Sequence, residues 1–201
     1  MRAPAARGSP RISLRRPTDA ALAGWLARQG DARASFEAPL PDVAPAGFDL
    51  DSCRLELGAG PAVFAAARDA LRRWAHCDTG WLGIAPRAAP PAPGLSFAML
   101  VRLGGVWFAN ACRVRSVFDE PGSTGYEHVT LPDHAECGVE RFEVRAERDG
   151  RVVFEIRAVS RPARWWVAAG RPLVRAAQAR FRRDSPAALL RAVRAGLAAR
   201  S

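Results

Sequence analysis

A chain of 201 residues that is 49% apolar and 25% charged has the make-up of a globular protein with a sizeable buried core. No run of about 18 apolar residues occurs, which excludes a membrane-spanning helix. The basic N-terminus lacks the apolar core of a secretory signal, so a cytoplasmic protein is expected.

The net charge of +10 comes from arginine alone, with no lysine, among abundant alanine, glycine and proline. That is the mark of compositional bias, and charge by itself speaks to solubility and non-specific binding rather than to a nucleic-acid partner. Cys53, Cys77, Cys112 and Cys137 form no Cys-x-x-Cys pair, and no histidine stands at ligand spacing. Inert thiols are expected, with no metal and no cofactor.

Residues 1–10 offer little that packs and predict a disordered basic tail, leaving 11–200 as one domain. Arg11 to Arg15 alternates weakly, as a short edge strand would. Thr18 and Asp19 can cap a helix carrying Leu22, Trp25 and Leu26, which Gly30 ends. A proline-rich connector follows, then a strand over 48–57. Gly58-Ala59-Gly60-Pro61 opens an amphipathic helix through Phe64, Ala67, Leu71 and Trp74. Its glycines suggest a phosphate cradle, but no Lys-Ser/Thr pair follows, and a plain strand-to-helix turn is the better reading. Residues 78–83 leave the helix, and 86–94 form a proline-rich loop.

Five strands are predicted next, over 95–103, 106–119, 125–131, 140–147 and 152–160. Gly104-Gly105, Glu120-Pro121-Gly122, Pro132-Asp133 and Asp149-Gly150 separate them, the spacing of an antiparallel meander. Residues two apart share a face. One face therefore collects Phe108, Asn110, Cys112, Val114, Ser116 and Phe118, then Tyr126, His128 and Thr130. Glu140, Phe142 and Val144, and then Phe154, Ile156, Ala158 and Ser160, continue it. An apolar stripe with Trp165, Trp166, Leu173, Val174 and Phe181 supplies the cover, with a break near Gly170 and Pro172 opening the longer helix. Asp184-Ser185-Pro186 predicts a cap and a separate final helix.

These motifs resemble a family described as domain of unknown function 1990, from about Ile12 to about Val193. The resemblance rests on Gly58-x-Gly60 with Phe64 and Trp74, Gly80-Trp81, and Trp107 with Asn110-x-Cys112-Arg113-Val114. Thr130-Leu131-Pro132-x-His134, Phe154-x-Ile156-x-Ala158-x-Ser160-Arg161-Pro162, Pro172, Arg175, Gln178 and Phe181 extend it. The chain departs from the family pattern at His128-Val129, Asp133 and Val139-Glu140. The element order also resembles the helix-grip fold of the START and Bet v 1 superfamily, by analogy of architecture. That resemblance implies an antiparallel sheet wrapped around a long C-terminal helix, with an apolar cavity between them.

Asn110 on an apolar face must find hydrogen-bond partners, from a ligand carbonyl or from backbone. His128 and His134 offer proton transfer near neutral pH, or plain turn structure. Glu140, facing inward, has a raised pKa if buried alone, or pairs with an arginine. Arg161, at the sheet-to-helix hinge, is the best anion contact. Arg113 and Arg157 point outward, toward neighbouring-strand carboxylates such as Glu143 and Glu155.

The expected fold is therefore α+β, of helix-grip type with about six strands. The expected function is binding of a small, largely apolar ligand, lipid- or polyketide-like. Asn110, Tyr126, His128, Thr130, Glu140, Ser160 and Arg161 would be the polar contacts, with Phe108, Phe142, Phe154 and Ile156 as walls. The alternatives are a cyclase- or hydrolase-type enzyme using His128, His134 or Glu140, and a nucleic-acid or interaction protein using Arg175, Arg180, Arg182, Arg183 and Arg191.

Overall fold

The computed structural model describes residues 11–200, so the disordered tail expected over 1–10 lies outside the described residues. The elements in chain order are β1 (Arg11–Ser13), α1 (Asp19–Ala27), β2 (Asp49–Ala59), α2 (Pro61–Arg72) and β3 (Leu82–Ala85). Then come β4 (Ser96–Leu103), β5 (Val106–Glu120), β6 (Ser123–Thr130), β7 (Glu136–Ala146), β8 (Arg151–Pro162), α3 (Trp165–Ala169) and α4 (Arg171–Ala198). They build an 8-stranded sheet in the order β2-β8-β7-β6-β5-β4-β3, with β1 paired to β5. All of its pairings are antiparallel.

Turn chemistry sets the register. Leu103 pairs with Val106 across Gly104 and Gly105, both at positive φ (55° and 83°), as the tight hairpin turn that suits strand twist demands. Register shifts at Glu56/Gly58 and at Val114/Ser116 mark bulges, which bend the sheet into a concave wall. The second bulge corrects the expected alternation in β5. Val114 faces the core, Ser116 is exposed, and Val117 rather than Phe118 packs inward. Phe118 lies on the other face, under the Arg141 guanidinium at 4.4 Å.

The concave face holds the main core. Phe97, Cys112, Val114, Tyr126, Phe142, Phe154 and Ile156 meet Ala67, Ala70, Leu71, Leu189 and Val193 from α2 and the second half of α4. Each large side chain buried this way stabilises by about 1.5–3 kcal/mol. Tyr126 Oη and His76 Nε2 lie 2.8 Å apart within this layer.

The convex face is also covered, which a sheet with one apolar face does not anticipate. Thr18 caps α1 by accepting from the Ala21 N–H, and Leu22, Trp25 and Leu26 pack on Leu100, Ala109, Ala111 and Leu131. Residues 31–48 continue across the sheet, with Phe36 on Val129, Val139 and Val159. Arg113 therefore donates to the carbonyls of Gln29, Gly30 and Ala32, and Arg157 to Asp42, rather than to neighbouring-strand carboxylates.

Two further features depart from the sequence reading. Residues 82–85, for which no element is predicted, form a strand on the sheet edge. Helix α4 runs unbroken for 28 residues with Pro186 inside it. Asp184 does not cap a new helix, because it accepts from Trp81 Nε1 at 3.0 Å and from Arg180 and Arg183. Ser185 and Pro186 are buried, so tertiary packing holds the helix through the missing N–H.

Candidate functional site

The first half of α4 and the short α3 stand off the concave face and cover a cavity of about 340 Å³. Met99, Val101, Leu103 and Phe108 from β4 and β5 form one wall, and Ile156 and Ala158 from β8 lie on the floor. Trp166, Val167, Leu173, Val174, Ala177 and Phe181 form the roof. Leu173 is 63% exposed while lining the cavity, so it stands at the mouth.

Register places the polar groups. His128 pairs with Glu140, Glu140 with Ala158, and Ala158 with Asp51, which makes one row across β6, β7, β8 and β2. The next row is Thr130, Gly138 and Ser160. Gly138 is required by close approach, since a Cβ there would lie 2.2 Å from the Val159 carbonyl oxygen. Gly138 and Ala158 both line the cavity close to the Glu140 carboxyl.

The helix side of the cavity is a connected polar network. Arg175 makes two bonds to Asp51 (2.7 and 3.2 Å) and one to Gln178 Oε1 at 3.0 Å. Gln178 Nε2 donates to Glu136 at 2.7 Å, and Ser160 Oγ donates to the same carboxylate oxygen at 3.3 Å. Arg182 reaches Asp51 at 2.9 Å. Both guanidinium groups are thereby committed to Asp51.

Glu140 has no such partner. Its Oε2 lies 3.6 Å from His128 Nε2, beyond normal hydrogen-bond range. Burial, with Glu136 and Asp51 adding repulsion, pushes Glu140 up to about 8. Burial pushes His128 down to about 3, with His134 and His76 acting in the same direction. The contact is therefore between a neutral acid and a neutral imidazole, not an ion pair. His128 Nδ1 is buried with no hydrogen-bond partner.

His134 is also neutral, held down to about 4 by burial. Its Nδ1 accepts from the Glu136 N–H at 2.9 Å, so Nε2 carries the ring proton. Asn110 Oδ1 accepts from the Ala135 N–H at 3.2 Å, which ties the β6–β7 turn to β5. That turn is fixed from the other face, where Asp133 accepts from Trp25 Nε1 at 2.9 Å and from Gln29 Nε2. Cys53 stands beside Glu140 and is raised to about 11 by burial, which keeps it a thiol. Among the described residues no group of three or more His, Cys, Asp or Glu is arranged to hold a metal ion.

Of the residues expected as contacts, Phe108, Asn110, His128, Thr130, Glu140, Ile156 and Ser160 line the cavity. Tyr126, Phe142 and Phe154 do not. They share the concave face but lie where α2 and the second half of α4 pack down and fill the space. Arg161 does not either, because strand alternation turns it away from Ser160 and over the Phe48 ring at 4.9 Å. Asp51, Glu136 and Arg182 were not anticipated as lining residues. Gln178 was visible only as a family motif position. A wider depression of about 650 Å³ lies between Arg72, Arg87 and Gly196. It is a surface groove in which Arg72 faces Asp119 and Arg87 faces Asp78.

Fold and site together define a helix-grip protein with a half-open, mostly apolar cavity between sheet and helix. The chain belongs to the family described as Domain of unknown function (DUF1990), whose model matches residues 32–188. A UPF0548 protein of Dictyostelium discoideum is 34% identical over 158 residues, 73% of each chain. One from Deinococcus radiodurans is 31% identical over 198 residues, 89% of this chain and 97% of that protein. A hypothetical protein from Helicobacter pylori shares the fold at 12% identity and a TM-score of 0.52, over 77% of this chain and 93% of that one.

Proposed function

We propose that the protein binds a small, largely apolar molecule between the sheet and the first half of α4. The observation that carries this reading is the cavity itself, about 340 Å³ of space beside a densely populated apolar core. Interiors normally pack without such voids, and an unfilled apolar cavity is destabilising. Apolar walls with a few placed polar groups are the usual form of a small-molecule site. The ligand passes under Leu173 and Trp166, with its apolar body against Met99, Val101 and Phe108.

Native mass spectrometry of the chain purified from its own host tests this. The expected result is an added mass of roughly a few hundred daltons, released by organic solvent. A bare chain mass in every preparation would contradict it.

A second reading is a cyclase- or hydrolase-type enzyme using the same cavity. It draws on one observation: Glu140, protonated near neutral pH, faces the neutral His128 imidazole at 3.6 Å. That pair could serve as general acid and base on a bound substrate. The arginine-rich reading has less support, because Arg175, Arg180, Arg182, Arg183 and Arg191 each contact an acceptor within the chain.

A further inference from the structure

The chemistry of the ligand's polar end can be read from what the cavity lining leaves unbalanced, provided the cavity is a ligand site as proposed above. Three carboxyl groups line the cavity against one guanidinium. Asp51 is satisfied by Arg175 and Arg182, and Glu136 by Gln178 and Ser160. Glu140 alone has no arginine within ion-pair distance and no hydrogen bond within normal range, Arg182 acting on it only from farther away. Beside it, Ala158 presents only a methyl group to the cavity, which leaves room for a group to stand against the carboxyl. A second observation is independent of the acids: His128 lines the same cavity at 3% exposure, with a ring nitrogen that has no partner. Buried polar atoms are ordinarily paired, so the unpartnered His128 Nδ1, near a carboxyl with no hydrogen bond in normal range, points to a missing ligand group.

We propose that this missing group is a protonated nitrogen, an ammonium on an otherwise apolar body, held against Glu140 over the floor of Gly138 and Ala158. A carboxylate there would meet the charges of Glu136 and Asp51, with Arg182 already engaged. Buried like charges are strongly unfavourable. A hydroxyl would satisfy one hydrogen bond but gains nothing from ionisation of Glu140. An ammonium supplies the opposite charge once Glu140 has given up its proton, and the aromatic side chains of Phe108, Trp166 and Phe181 line the same cavity.

The groups facing Glu140 are His128 on β6, Glu136 on β7, Asp51 and Cys53 on β2, and Arg182 on α4. Ammonium binding should therefore strengthen as pH rises from about 6.5 to about 8.5, while Glu140 gives up its proton.

The test uses the full chain, the neutral dye N-phenyl-1-naphthylamine, and displacement by octylamine, octan-1-ol and octanoate at about pH 7.5. Octylamine should bind about tenfold tighter than octan-1-ol, and octanoate weakest. Glu140→Gln, which keeps the shape, should bring the amine-to-alcohol ratio to about one. Octan-1-ol binding as tightly as octylamine, or an unchanged ratio in the variant, overturns the ammonium assignment alone. A chain that takes up neither dye nor octan-1-ol overturns the cavity reading, and the assignment falls with it.

Discussion

Glu140 and His128 face each other across the β6–β7 ladder with 3.6 Å between carboxyl oxygen and ring nitrogen, and both are uncharged at neutral pH. The sheet puts them side by side, and burial removes the charges. An exposed pair of the same residues would ionise as a weak surface salt bridge. Here the pair is an uncharged polar step in an apolar wall, and its protonation is tied to folding.

That coupling predicts the pH dependence of stability. The histidines are uncharged in the folded chain down to about 3 (His76, His128) and about 4 (His134), against 6.5 when unfolded. The unfolded chain takes up more protons between those values, so their stabilising contribution is present above 6.5 and lost as pH falls. Glu140 acts oppositely. Its folded value is about 8 against 4.5 unfolded, so its contribution is complete below 4.5 and is lost as pH rises to about 8. Three histidines outweigh one glutamate below about 6.5, and the glutamate acts against stability above it. Melting temperature should peak near pH 6.5 and fall toward pH 8, and Glu140→Gln should flatten that fall. A wild-type melting temperature still climbing from about pH 6.5 to about pH 8 would contradict the buried, unpaired state of Glu140.

Asp133 joins α1 to the β6–β7 turn through the side chains of Trp25 and Gln29. Removing it leaves two buried donors without an acceptor. Asp133→Ala should lower unfolding free energy by roughly 2–4 kcal/mol in urea denaturation. Asp133→Asn, which keeps one acceptor oxygen, should lose less. Equal losses in the two variants would show that packing, not hydrogen bonding, holds the turn.

Phe154 and Trp165 are both aromatic and differ in burial. Phe154 is fully enclosed by the core, whereas Trp165 is 82% exposed. Phe154→Ala should lose about 3–5 kcal/mol. Trp165→Ala should change stability by no more than about 0.5 kcal/mol. Urea denaturation of the two variants checks the contrast, and a large loss at Trp165 would place it in a packed contact.

The concave face was legible because β6, β7 and β8 pair with each other without a bulge, so residues two apart stay on one face from Tyr126 to His128, Glu140 to Val144 and Val152 to Ser160. In β5 the bulge between Val114 and Ser116 shifts the alternation, and nothing local in the sequence announces it. Strand β3 is four residues, Leu82 to Ala85, with a glycine inside and a proline after it, too short to show a period. Pro186 looked like a helix start because local rules favour that, and burial of Ser185 and Pro186 overrode them. The polar side of the cavity was the least visible part. Asp51, Glu136, Gln178 and Arg182 come from three elements far apart in the chain. Read singly, each is an ordinary surface charge or amide, and only the packing of α4 on β2 and β7 brings them together.

Ala158 sits on the cavity floor beside Glu140, where a larger side chain would project into the space below α4. The most direct measurement is a fluorescence titration of wild type and Ala158→Phe with N-phenyl-1-naphthylamine, alongside thermal melts of both chains. Wild type should bind about one equivalent of dye, and Ala158→Phe should lose that binding while still melting cooperatively. Equal dye binding by the two chains would show that the space between sheet and helix is not where apolar molecules go.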